Sequence, residues 1–157
     1  MSAVHTPEGF FVYASSYKRA AETLIAKRNA ELVVPTIYLL THALELALKS
    51  FLLFKGVTAK DLSRRPYHHD VSHCLSQAEA NGLLGTLLLT ERQREAVRSA
   101  SVMFDKKELN YFYEKPAVFP SMEALQLVLH TILSAVFDRI SEPYFRAMSL
   151  DIAPTTT

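Results

Sequence analysis

The stretch Pro35 to Gly56, PTIYLLTHALELALKSFLLFKG, constrains the fold of this chain more than any other. At about 100° per residue its apolar side chains, among them Ile37, Leu40, Leu44, Leu48, Phe51 and Leu52, point in nearly every direction around a helix, so neighbours must enclose it. Pro35 suits a first helical turn and Gly56 suits the residue just past a helix end. A helix of this length spans about 30 Å, enough to cross a domain. One thin polar line interrupts it: Tyr38, His42, Glu45 and Lys49 fall within an arc of roughly 60°. In a bilayer the last three would sit near the midplane at a cost of a few kcal/mol each, so a core helix of a soluble protein is expected and not a membrane span.

The remaining sequence supplies what could enclose that helix. A chain of 157 residues, 49% hydrophobic and 21% charged, is sized for one domain with its own core. Its net charge of +1 excludes a broad electrostatic pull toward nucleic acid or an anionic membrane, so any such binding must use a local patch. The single Cys74 excludes an internal disulfide and a multi-cysteine zinc site, and fits a reducing cytoplasm. The opening MSAVHTPEGFF lacks the basic start and apolar run of a secretory signal, so a cytoplasmic location is expected.

The periodicity predicts helices throughout. Phe10, Ala14, Tyr17, Ala21 and Leu24 define a first helix from Pro7 to about Lys27. Thr58 to Leu62 reads as a short helical turn, and a third helix is expected from near His69 to Asn81-Gly82. Thr90-Glu91-Arg92-Gln93 has the form of a capping box, and Ser121 is placed to cap the final helix. That helix carries the stripe Met122, Leu125, Leu129, Ile132, Val136 and Ile140, widened by Leu127, Val128, Leu133 and Phe137 beyond one core-facing seam. Burial on two sides, across a homodimer, would account for the excess. Between the last two helices, Phe104 to Phe119 reads as an irregular aromatic crossover. No stretch alternates as a strand would, so an all-α bundle is expected: one domain over 8–145, with 1–7 and 146–157 as loose termini.

Several residues carry chemistry. His42, Glu45 and Lys49 can form a local ion pair with a hydrogen-bonded histidine, or can face His69 and Asp70 across a groove. Arg64, Arg65, His68 and His69, with Lys60 nearby, make the only concentrated basic patch; it is either a solvated loop or a phosphate site. His69 and His73 have the four-residue spacing of a zinc pair, with Asp70 or Glu45 as a third ligand. No second histidine pair or acidic cluster completes such a set, so neither metal nor cofactor is expected. Asp70 suits the start of a helix through its dipole. Tyr111 to Tyr113 could stack bases or fill a core or interface.

Taken together, Tyr38-x6-Glu45-Leu46-x2-Lys49-x2-Leu52 ending in Gly56, then His69-Asp70-Val71 opening a helix with Leu75 and Gly82, resembles the HEPN (higher eukaryotes and prokaryotes nucleotide-binding) superfamily. The resemblance covers roughly residues 8 to 140. It implies an up-and-down bundle of four to five helices with a short extra helical turn. It also implies a homodimer that binds nucleotide or RNA, in a toxin-antitoxin or phage-defence setting, with an antitoxin or nucleotidyltransferase as partner protein. Catalytic members are metal-independent ribonucleases with an Arg followed after four to six residues by a His, a spacing Arg64 and His69 match. On that reading Arg64 and His69 are the catalytic pair, and Arg65, His68, Asp70, His42, Glu45, Lys49 and His73 surround the ligand. The competing expectation is a non-catalytic dimeric module that holds a partner protein.

Overall fold

In the computed structural model, residues 5–111 and 118–151 are described, those from 144 onward by backbone alone. The described chain is all-helical: α1 (Pro7–Ala26), α2 (Val33–Phe54), a short α3 (Ala59–Leu62), α4 (Val71–Ala80), α5 (Glu91–Asp105) and α6 (Met122–Asp151). No strand occurs among the described residues. Five longer helices and one short turn match the expected all-α bundle.

α2 is the centre, packing against α1, α4, α5 and α6. Its Ile37, Leu40, Leu44, Leu48, Phe51 and Leu52 are all essentially inaccessible. Each buried aliphatic side chain contributes about 1.5–3 kcal/mol, which makes this helix the main source of core stabilisation. α1 runs antiparallel to α2, as shown by the hydrogen bond from Ser50 Oγ to the Pro7 carbonyl at 2.7 Å and by the Tyr17 and His42 rings 4.6 Å apart. Val71, Cys74, Leu75 and Ala78 of α4, Val97 and Ala100 of α5, and Leu125, Leu129, Ile132 and Val136 of α6 complete the core.

The ends of the helices follow local chemistry. Thr6 Oγ1 accepts from the Gly9 amide at 3.0 Å and starts α1. A 3-10 turn over Ala30–Leu32, capped by Asn29, leads directly into α2, which therefore begins two residues before Pro35. Pro35 still lies in the first turn, where its missing N–H leaves no helical bond unmade. α2 stops at a Schellman motif: Gly56, with φ of 96°, donates to Leu53 O at 2.9 Å while Val57 donates to Leu52 O at 3.0 Å. Gly82 ends α4 in the same way, with φ of 84°. The capping box at α5 is complete, with Gln93 N donating to Thr90 Oγ1 at 3.2 Å and Thr90 N to Gln93 Oε1 at 2.8 Å. Ser121 Oγ accepts from Ala124 N at 3.2 Å and caps α6.

α4 opens at Val71, two residues later than the histidine expected to begin it, because Asp70 is its N-cap and accepts from the His73 amide at 2.9 Å. α6 continues through Pro143 to Asp151, so the expected domain end at 145 falls inside this helix. Phe112 and Tyr113 of the crossover, and the tail after Asp151, lie outside the described residues. Two segments, Ala30–Phe54 and Met122–Pro143, are long and apolar enough to cross a membrane; the first is 67% buried within the bundle and the second 50%.

Candidate functional site

The polar line of α2 is resolved around Glu45. Its side chain is only 3% exposed, and its two oxygens are covered from three sides. Oε1 accepts from Lys49 Nζ at 2.7 Å, one helical turn onward. It also accepts from the backbone N–H of His69 at 3.3 Å, across to the loop before α4. Oε2 lies 3.2 Å from His42 Nδ1, a contact that requires the proton of the His42 ring on that nitrogen. Burial alone would raise the carboxyl pKa. The hydrogen bond from His42 and the charge and hydrogen bond of Lys49 outweigh it and hold Glu45 down at about 2. The helical spacing of His42, Glu45 and Lys49 thus produces a satisfied buried ion pair with a third donor, and His69 is added from outside the helix.

That addition has a backbone consequence. His69 has φ of 57°, a left-handed conformation that is uncommon for a non-glycine residue and costs of order 1 kcal/mol. The Glu45 carboxylate, by taking the His69 amide, is one of the contacts that hold the corner in place. The His69 ring turns its Nδ1 inward, buried and 3.3 Å from Glu45 Oε1, but outside hydrogen-bond geometry. The approach is electrostatic and makes no hydrogen bond. The rest of the ring meets Phe104 edge-on at 5.1 Å and His68 at 4.0 Å, and the side chain remains one-third exposed. Burial lowers the His69 pKa, and the attraction of Glu45 does not fully offset it, so the ring is mainly neutral near pH 7.

Asp70 follows with a different task. Its Oδ1 caps α4 and also accepts from Ser101 Oγ at 3.4 Å, while Ser101 Oγ accepts from the Ser72 amide at 3.1 Å. Asp70 is therefore a structural fastener between α4 and α5. The His73 ring meets Tyr67 edge-on at 4.9 Å. Among the described residues no three His, Cys, Asp or Glu side chains are grouped to hold a metal ion.

The basic patch divides. Arg65 reaches Asp105 at the end of α5, at 2.7 Å, and is a surface ion pair. The Arg64 carbonyl accepts from the Tyr67 and His68 amides at 2.9 Å each, which folds the connector into a tight turn. The Arg64 guanidinium is exposed and has no hydrogen bond or ion pair among the described residues. Lys60 is likewise exposed. The corner thus displays a free arginine and an adjacent pair of histidines.

Three residues absent from the expected site take part in it. Tyr17 of α1 packs on His42, Phe104 packs on both Tyr38 at 5.5 Å and His69, and Ser101 ties Asp70 in place. The sequence signal for Ser101 and Phe104 is the buried stripe Val97, Ala100, Ser101 and Phe104 at helical spacing, in which a lone serine among apolar residues asks for a partner, and Tyr17 belongs to the periodic stripe of α1. On α5, Arg98 pairs locally with Glu91 and Glu95, whereas Arg94 makes a two-pronged bond to Glu79 of α4 at 2.7 and 3.1 Å. No protein-family model, curated protein or solved structure matches this chain.

Proposed function

We propose that this chain is a HEPN-like helical domain that binds nucleotide or RNA at the corner formed by Arg64, His68 and His69. One observation carries the reading: a strained, Glu45-tethered loop residue presents a neutral imidazole beside a second histidine, in the same turn as an exposed arginine whose carbonyl accepts from the His68 amide and whose guanidinium has no partner among the described residues. Arg65 and Arg94, by contrast, are each held by a carboxylate. Free guanidinium donors beside imidazoles suit phosphate oxygens.

Metal-independent RNA cleavage follows chemically from the same groups. The neutral His69 ring accepts the proton of a ribose 2′-hydroxyl, the 2′-oxygen attacks phosphorus, and the bond from phosphorus to the 5′-oxygen breaks. Arg64 stabilises the charge gathering on the phosphate oxygens. In a homodimer, His69 of the second copy could return a proton to the leaving oxygen, dividing the acid and base roles between subunits. A cytoplasmic toxin or defence protein, paired with an antitoxin or nucleotidyltransferase, is the setting this reading entails.

The test is incubation of the purified chain with structured RNA, with and without a chelator, beside R64A and H69A. The expected result is chelator-resistant cleavage that drops by at least about a hundredfold in H69A. Cleavage unchanged in both variants would remove these residues from the site. A second reading, a non-catalytic module for protein interaction, is favoured by the exposed Leu127 and Phe137 of α6, the latter sharing a groove with the exposed Val12 of α1, and absence of RNA binding in the wild type would support it.

A further inference from the structure

We propose that the groove between α1 and the middle of α6 binds a small single-headed anion, an alkyl or aryl body ending in a carboxylate or a phosphate. The head sits at Arg19 and His130, and the body lies against Phe11 and Phe137. The proposal rests on elements other than the Arg64 corner and holds whether or not RNA binds there.

The two walls of the groove run antiparallel. Phe11 meets Phe137 at 5.9 Å between ring centroids, whereas Leu24 and Ile25, near the other end of α1, line a hollow with Met122 at the start of α6. Lys18 and Arg19 therefore lie level with His130, and all three line the same groove of about 570 Å³ as the two aromatic rings. That volume is in the range of small-molecule sites. Seven residues separate His130 from Phe137 on the exposed ridge of α6, which puts about 10 Å between the two ends of the groove. Ser15 and Ser134 flank the middle with hydroxyls, and the buried Leu133 lies between the ends.

The ends differ in chemistry, and the difference identifies the occupant. At one end Lys18 is held by Glu22, one turn onward on α1. The Arg19 guanidinium and the His130 ring have no hydrogen bond or ion pair among the described residues. A guanidinium fork matches the paired oxygens of a carboxylate or a phosphate. At the other end are Phe11, Val12 and Phe137, the last two 57% and 48% exposed, with Asp138 beside them and likewise unpaired among the described residues. The Asp138 carboxylate repels an anionic head and so fixes the direction in which the ligand lies. It also disfavours nucleic acid in this groove. An extended polyanion would carry its next charges from Arg19 onto Asp138, whereas a ligand with one head leaves only its apolar body there. Burial of that body against the two rings supplies the remaining attraction.

The test is a titration of the isotope-labelled full chain with sodium octanoate and with octyl phosphate, followed through backbone amide NMR shifts. Both anions should move the amides around Arg19, His130, Ser134 and Phe137. Octanol, which has the body without the charge, should bind at least about tenfold more weakly. R19E should weaken octanoate binding at least about tenfold and leave octanol within about threefold of its wild-type affinity. S134W fills the middle of the groove and should abolish binding of both. Circular dichroism checks that each variant is folded, and the exposed position of Arg19 keeps R19E informative even if the tryptophan disturbs α6. No shifts with either anion, shifts away from this groove, or an octanoate affinity unchanged in R19E would each overturn the proposal. AMP moving the same amides at lower concentration than octyl phosphate would assign the groove to nucleotides and overturn it equally.

Discussion

α2 and α6 look alike as sequence, each long and apolar with a few polar residues at helical spacing, but they meet opposite fates. In α2 the polar line is enclosed: Glu45 has Lys49, His42 and the His69 amide around it, and no atom of its carboxylate is left to solvent or chance. In α6 the line His130, Ser134 and Asp138 faces outward, and neither His130 nor Asp138 has a partner among the described residues. The difference follows from desolvation. A charge removed from water must be compensated within the fold, whereas an exposed one keeps its hydration and can wait for a partner. The first kind of line therefore bears on folding, and the second leaves it nearly untouched.

Perturbing the enclosed line should give the largest effects. K49M leaves the Glu45 carboxylate buried without its cation and should lower stability by about 3–5 kcal/mol in urea denaturation. The paired replacement E45L/K49M should be less damaging than K49M, because it removes both charges and leaves apolar volume. A double variant worse than the sum of the singles would mean that the ion pair is not the source of the cost.

Acid should expose the same contrast. The folded pKa of Glu45 is held at about 2, below its ordinary value of 4.5, so its contribution is fully present above pH 4.5 and is lost as pH falls toward 2. The shift corresponds to about 3 kcal/mol. His69 adds to this in the same direction. Its pKa is lowered on folding, so its contribution is complete above pH 6.5 and declines as acid charges the unfolded chain first. Stability measured from pH 7 to 2 should therefore fall in two stages. E45Q should flatten the lower one.

Smaller effects belong to the fasteners and the surface. D70A removes the cap of α4 and a partner of Ser101 and should cost about 1 kcal/mol. H130A, on the exposed ridge, should change the stability of a single chain by less than about 0.5 kcal/mol. A large loss there would mean that the face supports the fold directly, and the contrast with α2 would fail.

Much of this architecture was legible in the sequence. The enclosure of α2 followed from its apolar residues on all sides, and the ends of α2, α4 and α5 followed from Gly56, Gly82 and the Thr90 to Gln93 box. The ion pair of Glu45 and Lys49 was readable from spacing alone. What could not be read was the third dimension of the site. Nothing local shows that the His69 amide reaches Glu45, 24 residues away, or that Asp70 fastens to Ser101, 31 residues away. The division of Arg64 from Arg65 was equally hidden. Adjacent in the chain, they separate only because Asp105 is placed beside one of them.

The central claim is that the Glu45-held corner offers Arg64, His68 and His69 to a phosphate chain. It is tested most directly by fluorescence anisotropy of a labelled single-stranded RNA titrated with wild type and R64A over a series of salt concentrations. The account predicts weaker binding by R64A and a salt slope reduced by about one charge. Identical affinity and slope for the two proteins, or no binding by wild type at low salt, would contradict it.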